Sequence, residues 1–333
     1  MNRQKKSRVG IFGIGQFGIH HLKNWLALDD VELVGFCDID PLKQSLIPKE
    51  YGVPFYNQSE LIQKADIIDV VTPTSAHFEI AAEALEAGHS VFVEKPFTET
   101  LAQAEKLIEL GKKYGAKIAV GLIERFNPVI TALHEILTLR PAFIESHRMG
   151  PFNPYRGTDV PVMMELMIHD IDLILHMVPY PLAEIRASGT KVLSNEIDIV
   201  NARIEFANGA VANVSSSRVT PSKMRKMRLF QENQYVSIDF IEQKADVYTI
   251  DSAEISDETD NRRIMVNIPD GFNKSIHYQQ IKPESYNAMQ REFRSFIKAL
   301  ECDKEPIVSG EDGLRALSLA IQIEEQISKI AGQ

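Results

Sequence analysis

The sequence predicts an α/β protein, in which a doubly wound parallel sheet is followed by an α+β domain with a large, mostly antiparallel open sheet. Over the first 122 residues, short apolar runs alternate with amphipathic stretches, which is typical of a parallel sheet covered by helices on both faces. Beyond that point, strand-like segments are separated by turn signals, as in an antiparallel meander. We therefore expect two domains, residues 1–122 and 123–333.

The first domain contains apolar runs of strand length with helical segments between them. The predicted strands are 9–12, 31–37, 67–71, 90–93 and 117–122. The predicted helices are 17–28, 76–87 and 101–114, where apolar residues recur at helical spacing. Because such strands run parallel, their carboxyl ends should lie along one edge of the sheet.

The second domain should begin with helices and continue as a meander. The predicted helices are 127–137 and 163–177, with 286–300 and 313–330 at the end of the chain. The predicted strands are 184–192, 197–206, 210–217, 227–231, 236–240 and 245–250. Residues 252–283 are polar and irregular, and we expect a long loop with one short strand there.

Composition excludes several classes of function. The formal net charge of -10 disfavours nucleic acid and anionic membranes as partners. The two cysteines, Cys37 and Cys302, are too few for a disulfide framework, and no apolar segment is long enough to span a bilayer. We expect reduced thiols and a cytoplasmic location.

A glycine-rich segment after the first strand predicts a dinucleotide site. Gly13, Gly15 and Gly18 have the G-x-G-x-x-G spacing between a strand and a helix, which is the context that gives this motif its meaning. Asp38 ends the second strand, about twenty residues after Gly18, where a carboxylate binds the ribose hydroxyls of NAD. A 2′-phosphate would face Asp38 and Asp40 with no arginine beside them, so we expect NAD rather than NADP.

Two further segments carry groups suited to alcohol oxidation. Lys95 follows the strand at 90–93, and an ammonium at that edge of the sheet can stabilise a developing alkoxide. Glu165, His169 and Asp172 share one face of the predicted helix, and the imidazole can act as a base that a carboxylate orients. From this helix alone, a core histidine paired with Asp172 is an equal alternative.

A metal site is not expected. His176 extends the row formed by His169 and Asp172, but the sequence offers no further ligand for a metal. His20 and His21, just inside the first helix, are expected to be structural.

Together these segments resemble the Gfo/Idh/MocA oxidoreductase family over nearly the whole chain. The motifs that carry the resemblance are Gly13-Ile14-Gly15-Gln16-Phe17-Gly18, Asp38, Thr72-Pro73-Thr74-Ser75-Ala76-His77, Glu94-Lys95-Pro96, Glu124-Arg125-Phe126-Asn127-Pro128 and residues 165–172. The resemblance implies that Lys95 and His169 are the catalytic pair. The cofactor contacts that it implies are Gly13, Gly15, Gln16, Phe17, Gly18, Asp38, Thr72, Pro73, His77, Glu94, Lys95 and Arg125. It also implies homodimers or homotetramers formed through the second domain's sheet.

A narrower resemblance points to the substrate. Residues 120–128, 148–152 and 166–172 are similar to the UDP-N-acetylglucosamine 3-dehydrogenase branch, which implies a hydride taken from C3 of a UDP-linked acetamido sugar. The expected substrate contacts are Arg148, Arg156, Glu165 and Asp172. The cations that could meet the diphosphate are Arg148, Arg156, Arg218, Lys223, Arg225, Lys226 and Arg228.

Alternatives remain for both the basic cluster and the function. The cations at 218–228 could instead protect an exposed strand edge. Glu165 stands where the family usually has aspartate, which puts the substrate in doubt. The chain could therefore be a dehydrogenase of a free sugar or polyol, or a non-catalytic dinucleotide-binding sensor.

Overall fold

The computed structural model describes residues 6–154, 160–251, 263–267 and 273–331. The chain divides into two compact units. The first combines Met1–Phe126 with Asn287–Ser318, and the second combines Asn127–Tyr286 with Leu319–Gln333. Within the described ranges, no helix is both long and apolar enough to cross a membrane.

The sheet of the first unit has the predicted parallel arrangement. Its strands are β1 (Ser7–Phe12), β2 (Val31–Cys37), β3 (Ile67–Val70), β4 (Ser90–Glu94) and β5 (Ile118–Gly121). They lie in the order β2-β1-β3-β4-β5, and every neighbouring pair is parallel. Strands β3, β4 and β5 are buried along nearly their whole length, which explains why they are apolar runs without alternation.

Helices surround this sheet and continue through the second unit. In chain order they are α1 (Gln16–Leu26), α2 (Pro41–Tyr51), α3 (Gln58–Lys64), α4 (His77–Glu86), α5 (Leu101–Tyr114), α6 (Pro128–Ile136), α7 (Ile168–Met177), α8 (Ala288–Glu301) and α9 (Gly310–Ala331). Helices α2 and α3 were not predicted. The amphipathic signal of α2 is weak, because its buried face amounts to Ile47.

Helix α8 belongs with the first unit, although the sequence placed it in the second domain. Phe293 is fully buried and stacks on Trp25 of α1 with ring centroids 3.8 Å apart. Phe293 also meets Phe92 of β4 edge to face at 5.2 Å. Because these rings close the core of the first unit, the compact unit includes a segment far from residues 1–122 in sequence.

The described strands of the second unit form one sheet. They are β6 (Phe143–Met149), β7 (Leu182–Thr190), β8 (Ile199–Phe206), β9 (Val211–Ser217), β10 (Met224–Gln231), β11 (Gln234–Asp239), β12 (Lys244–Asp251), β13 (Arg263–Asn267) and β14 (Asn273–Ile281). Their order is β13-β14-β12-β11-β10-β6-β9-β8-β7, with β6 and β9 parallel and the other pairs antiparallel. The predicted mostly antiparallel sheet is confirmed. The expectation of one short strand within 252–283 was wrong, since β13 and β14 both lie there.

The helix predicted at 163–177 is not uniform. Residues Met163–Met167 form a π-helical turn, and α7 follows from Ile168. Such wide turns are frequent at functional sites. This one carries Glu165 and directly precedes His169.

Candidate active site

The carboxyl ends of β1, β2, β3 and β4 meet at one edge of the parallel sheet. The loops that follow them carry Gly13, Asp38, Thr72 and Lys95 respectively. Strand order reverses between β1 and β3, and ligands of such sheets bind in the crevice at that point.

The glycine loop has the space and the donors that a dinucleotide pyrophosphate requires. Gly13 has φ +90°, and a Cβ there would meet the backbone of Thr72 at 2.8 Å. A Cβ at Gly18 would fall on the carbonyl oxygen of Gly13, whereas nothing lies within 4 Å of a Cβ at Gly15. Within the part of the chain that the structure describes, no side-chain hydrogen bond caps the N-terminus of α1, and a helix N-terminus is a place where backbone N–H groups bind phosphate oxygens.

Three more of the predicted cofactor contacts are Gln16 and Phe17 of this loop and Thr72 after β3. Gln16 is exposed at the start of α1, and the Phe17 ring packs 5.1 Å from the ring of His21. Thr72 Oγ1 is buried and has no hydrogen-bond partner within the described part of the chain. Thr72 lies against Gly13 of the glycine loop, and a buried hydroxyl without a partner there fits a site that a ligand completes.

Asp38 is held rigidly at the end of β2. Its carboxylate accepts the N–H of Ile14 at 2.6 Å and that of Asp40 at 2.8 Å. Lys43 Nζ lies 3.5 Å from Asp38 and 3.9 Å from Asp40. Sequence reasoning missed this lysine, although its i, i+3 spacing from Asp40 was a signal for it. The lysine weakens the charge argument against a 2′-phosphate, so the preference for NAD depends on the carboxylate's geometry.

His77 is a buried connector between two loops. Its ring is 1% exposed, with Nε2 2.9 Å from the carbonyl oxygen of Thr72 and Nδ1 3.0 Å from that of Pro96. Pro73 beside Thr72 is exposed. Because both imidazole nitrogens contact the backbone, His77 joins the loop after β3 to the loop after β4 and is not presented to a ligand.

Glu94 and Lys95 stand at the end of β4. Glu94 is 7% exposed, and its Oε2 accepts the N–H of Lys95 at 3.2 Å. Lys95 is half-buried, and the peptide bond that joins it to Pro96 is cis. The carboxylate thus contacts the backbone that carries the predicted catalytic ammonium.

Arg125 is used inside the first unit and is not presented to a ligand. Its guanidinium donates to the carbonyl oxygen of Ile307 at 3.0 Å and lies 3.2 Å from Asp312. The Arg125 side chain is 5% exposed and that of Asp312 is 11% exposed. Burial raises the pKa of Asp312, but the charge of Arg125 and other donors lower it by more. The pKa of Asp312 therefore lies below its ordinary value. The geometry favours a structural role over the predicted cofactor contact.

In the second unit, His169 lies on the first turn of α7 and is half-buried. Glu165, one turn earlier, has a side chain that is 18% exposed. Asp172 is 1% exposed, so the structure does not present it to a substrate as the sequence predicted. His176 is exposed and packs edge to face on His134 of α6.

Glu165 is held by a buried arginine that was predicted to meet a diphosphate. Arg218 is 4% exposed and donates to Asp198 at 2.7 Å, Ser194 at 2.9 Å and the carbonyl oxygen of Val160 at 2.7 Å. Its Nη1 also lies 3.2 Å from Glu165 Oε2. Burial raises the pKa of Asp198, but Arg218 and the hydrogen bonds to the carboxylate lower it by more. The pKa of Asp198 is therefore held well below its ordinary range. The donors of Arg218 are therefore engaged within the protein.

Arg148 was also predicted to contact substrate, and in the structure its guanidinium pairs with Asp170. Its Nε donates to Asp170 Oδ2 at 2.7 Å and its Nη2 to Asp170 Oδ1 at 3.0 Å. Both side chains are 2% exposed. This bidentate pair is a core contact between β6 and α7.

The remaining predicted cations that the structure describes are less buried: Lys223, Lys226 and Arg228 are exposed and Arg225 is half-buried. Arg156 lies outside the described residues. Lys226 lies 3.4 Å from Asp239, and Arg228 lies 3.3 Å from Glu145 on the neighbouring strand. Within the described ranges, no cluster of three or more histidine, cysteine or acidic side chains could hold a metal ion.

Two known sequence families match this chain. Residues 7–122 match the family described as "Oxidoreductase family, NAD-binding Rossmann fold". Residues 145–236 match "GFO/IDH/MocA C-terminal domain", and together the two matches cover more than half of the chain.

Individual relatives are dehydrogenases. The chain is 29% identical over 317 residues to UDP-N-acetylglucosamine 3-dehydrogenase of Acidithiobacillus ferrooxidans, covering 95% of this chain and 96% of the relative. A crystal structure of that enzyme superimposes with a TM-score of 0.85 at 28% identity, over 97% of this chain and 98% of the other. Myo-inositol 2-dehydrogenase of Thermotoga maritima is 24% identical over 97% of this chain and 96% of its own length. This chain therefore belongs to the Gfo/Idh/MocA family of NAD-binding oxidoreductases.

Proposed function

We propose that this chain is an NAD-dependent dehydrogenase that oxidises the C3 hydroxyl of a UDP-linked acetamido sugar. The observation that carries this proposal is the end-to-end likeness, in sequence and in fold, to the UDP-N-acetylglucosamine 3-dehydrogenase of Acidithiobacillus ferrooxidans. The motifs at 120–128 and 166–172 support the same substrate class.

The proposed chemistry divides between two side chains. When bound, NAD accepts the hydride that leaves the carbinol carbon. His169 takes the proton from the substrate hydroxyl as a general base, a role that suits an imidazole near neutral pH. Lys95 donates a hydrogen bond to the same oxygen and stabilises its negative charge as the proton leaves. The alcohol thus loses one hydride and one proton and becomes a ketone.

Glu165 is the proposed sugar contact on the second unit. Its π-helical turn and its contact with Arg218 restrict the side chain to one orientation. A carboxylate held in this way accepts hydrogen bonds from sugar hydroxyls at a fixed distance, so it contributes to the choice of the hydroxyl oxidised.

A second candidate is the oxidation of an uncharged free sugar or polyol. The buried pairs of Arg148 and Arg218 favour it, because two cations expected to meet a diphosphate are engaged within the protein. The myo-inositol 2-dehydrogenase of Thermotoga maritima is also similar along nearly its whole length.

Thermal melting separates the two candidates. We expect NAD to raise the melting midpoint and NAD with UDP-N-acetylglucosamine to raise it further, because a ligand that binds only the folded state stabilises it. UMP and free N-acetylglucosamine serve as controls for the two halves of the substrate. A further shift with myo-inositol or a free sugar, and none with the UDP-sugar, would establish the second candidate instead. The ligand that raises the melting midpoint further in the presence of NAD must also be the one that supports NADH formation.

We also propose that the sheet of the second unit forms a homodimer or homotetramer interface. A row of aromatic rings crosses five strands, with successive centroids 4.9 to 5.8 Å apart. The row consists of Phe143, Phe230, Tyr235, Tyr248 and Tyr278. Phe230 is 38% exposed in the single chain and the other four residues are half-buried, and a partly exposed aromatic row is typical of a surface that associates.

The oligomer is tested by replacing Phe230 with lysine. We expect a shift toward monomer in light scattering, because the charge would have to be desolvated at the interface. Ile39→Lys, which changes a 96% exposed residue of the first unit, is the control and should not alter the molar mass. An unchanged molar mass for Phe230→Lys would contradict the proposed interface.

A further inference from the structure

A buried charge cluster lies directly behind the Glu94–Lys95 segment. His21 of α1 is 0% exposed, with Nδ1 2.9 Å from Asp69 Oδ2 and Nε2 3.1 Å from Glu94 Oε1. Asp69 belongs to β3 and Glu94 ends β4, so the imidazole joins two neighbouring strands. From the sequence alone, His21 was expected to be structural.

The contacts of the imidazole determine its protonation state. A neutral imidazole has one N–H, so one of the two carboxylates would face a ring lone pair. The Trp25 indole also donates to Asp69 Oδ2 at 2.7 Å, which leaves that carboxylate as an acceptor. Burial by itself lowers the pKa of His21, but Asp69 and Glu94 outweigh burial and raise this pKa to about 10. The other rings packed on the imidazole are apolar: Phe17, Phe92 and Phe293.

Glu94 is constrained on its remaining sides. Its second oxygen accepts the Lys95 N–H at 3.2 Å. Gly121 of β5 lies in register with Glu94, and a Cβ at Gly121 would overlap the carboxylate. Glu94 therefore has one available position, between the imidazole, the Lys95 backbone and the strand beside it.

We propose that His21 is a positioning residue: its imidazolium donates to Asp69, forms an ion pair with Glu94 across 3.1 Å, and through Glu94 fixes the backbone that presents Lys95. The inference rests on the proposed role of Lys95. Without a cation between them, two buried carboxylates would repel each other, and Glu94 would lose the orientation in which it accepts the Lys95 N–H. His21 touches neither substrate nor cofactor in this proposal.

The test compares two adjacent histidines. His21→Gln keeps one amide donor and loses the positive charge, so we expect kcat to fall about 10- to 100-fold, as misplacement of a catalytic group does. His20→Gln changes the exposed neighbour and should leave kcat unchanged. A His21→Gln variant that melts cooperatively and retains full kcat would overturn the proposal.

A second variant separates positioning from general packing. If His21 acts through Glu94, adding His21→Gln to Glu94→Gln should lower kcat no further, whereas a packing defect would add to it. Independent losses would overturn the proposal. Lys95→Met separates this inference from the proposed role of Lys95. Full activity of Lys95→Met would remove that role, whereas an inactive Lys95→Met with a fully active His21→Gln would overturn this inference alone.

Nitrogen NMR of the unmodified protein provides a test that needs no variant. Both His21 ring nitrogens should carry protons at pH 8, and a single N–H would contradict the proposal. The folded-state pKa lies above the ordinary value of 6.5. The protonated imidazole therefore contributes its full stabilisation of the folded protein below about pH 6.5. This contribution is lost as the pH rises through the folded-state pKa near 10.

Discussion

Replacing Lys95 with methionine is expected to lower kcat by at least about 1000-fold, because the substrate oxygen then loses a charged donor as its proton leaves. Methionine keeps the length and most of the volume of the side chain but carries no charge. NAD binding depends chiefly on the glycine loop and Asp38, so NAD should still raise the melting midpoint of the variant. Steady-state kinetics with the substrate identified by melting measures the effect.

Two companion variants sharpen this result. Lys106→Met removes an exposed lysine of α5 that pairs with Glu109, and its kcat should equal that of the unmodified protein. Lys95→Arg keeps the charge but changes the shape and cannot release a proton at neutral pH. Substantial activity in Lys95→Arg would assign Lys95 to electrostatic stabilisation, whereas near-normal turnover in Lys95→Met would remove it from the mechanism altogether.

The parallel sheet could be predicted because its strands are buried on both faces and are therefore apolar without interruption. The same reasoning failed for β6. Its inward positions alternate as expected, but they hold Ile144, Ser146 and Arg148, so the strand shows no apolar alternation. Arg148 is paired with Asp170, a residue of α7, and no local pattern reveals such a partner.

The glycine loop has a clear signal in the sequence because the backbone there leaves no room for a Cβ at Gly13 and Gly18. For the arginines, the sequence carries no comparable signal that tells a ligand contact from an internal ion pair. Arg218 and Asp198 are twenty residues apart in sequence and meet only through the fold. A sequence shows that a side chain carries charge, but the partner that neutralises it depends on tertiary packing. The carboxylate partners of His21 likewise come from β3 and β4, far from α1 in sequence, so no local pattern reveals them.

Replacing Arg148 with methionine is expected to destabilise the protein by about 3–5 kcal/mol, because Asp170 would remain buried without its cation. In thermal melting this corresponds to a fall on the order of 10 °C. If Arg148 instead bound the substrate diphosphate, the variant would melt normally and its KM for the UDP-sugar would rise. The two outcomes distinguish a core ion pair from the predicted substrate contact.

The double variant Arg148→Met with Asp170→Leu tests the pair itself. Replacing both charges by apolar side chains should recover much of the lost stability, since a buried ion pair contributes little beyond its own desolvation. Arg186→Met is the matched control: Arg186 also pairs with a carboxylate, that of Glu184, but their side chains are 71% and 46% exposed. Its melting midpoint should not change, because solvent screens such pairs. If the double variant melted no higher than Arg148→Met, the loss would come from packing of the arginine stem beside Phe240, and the unpaired carboxylate would not be its cause.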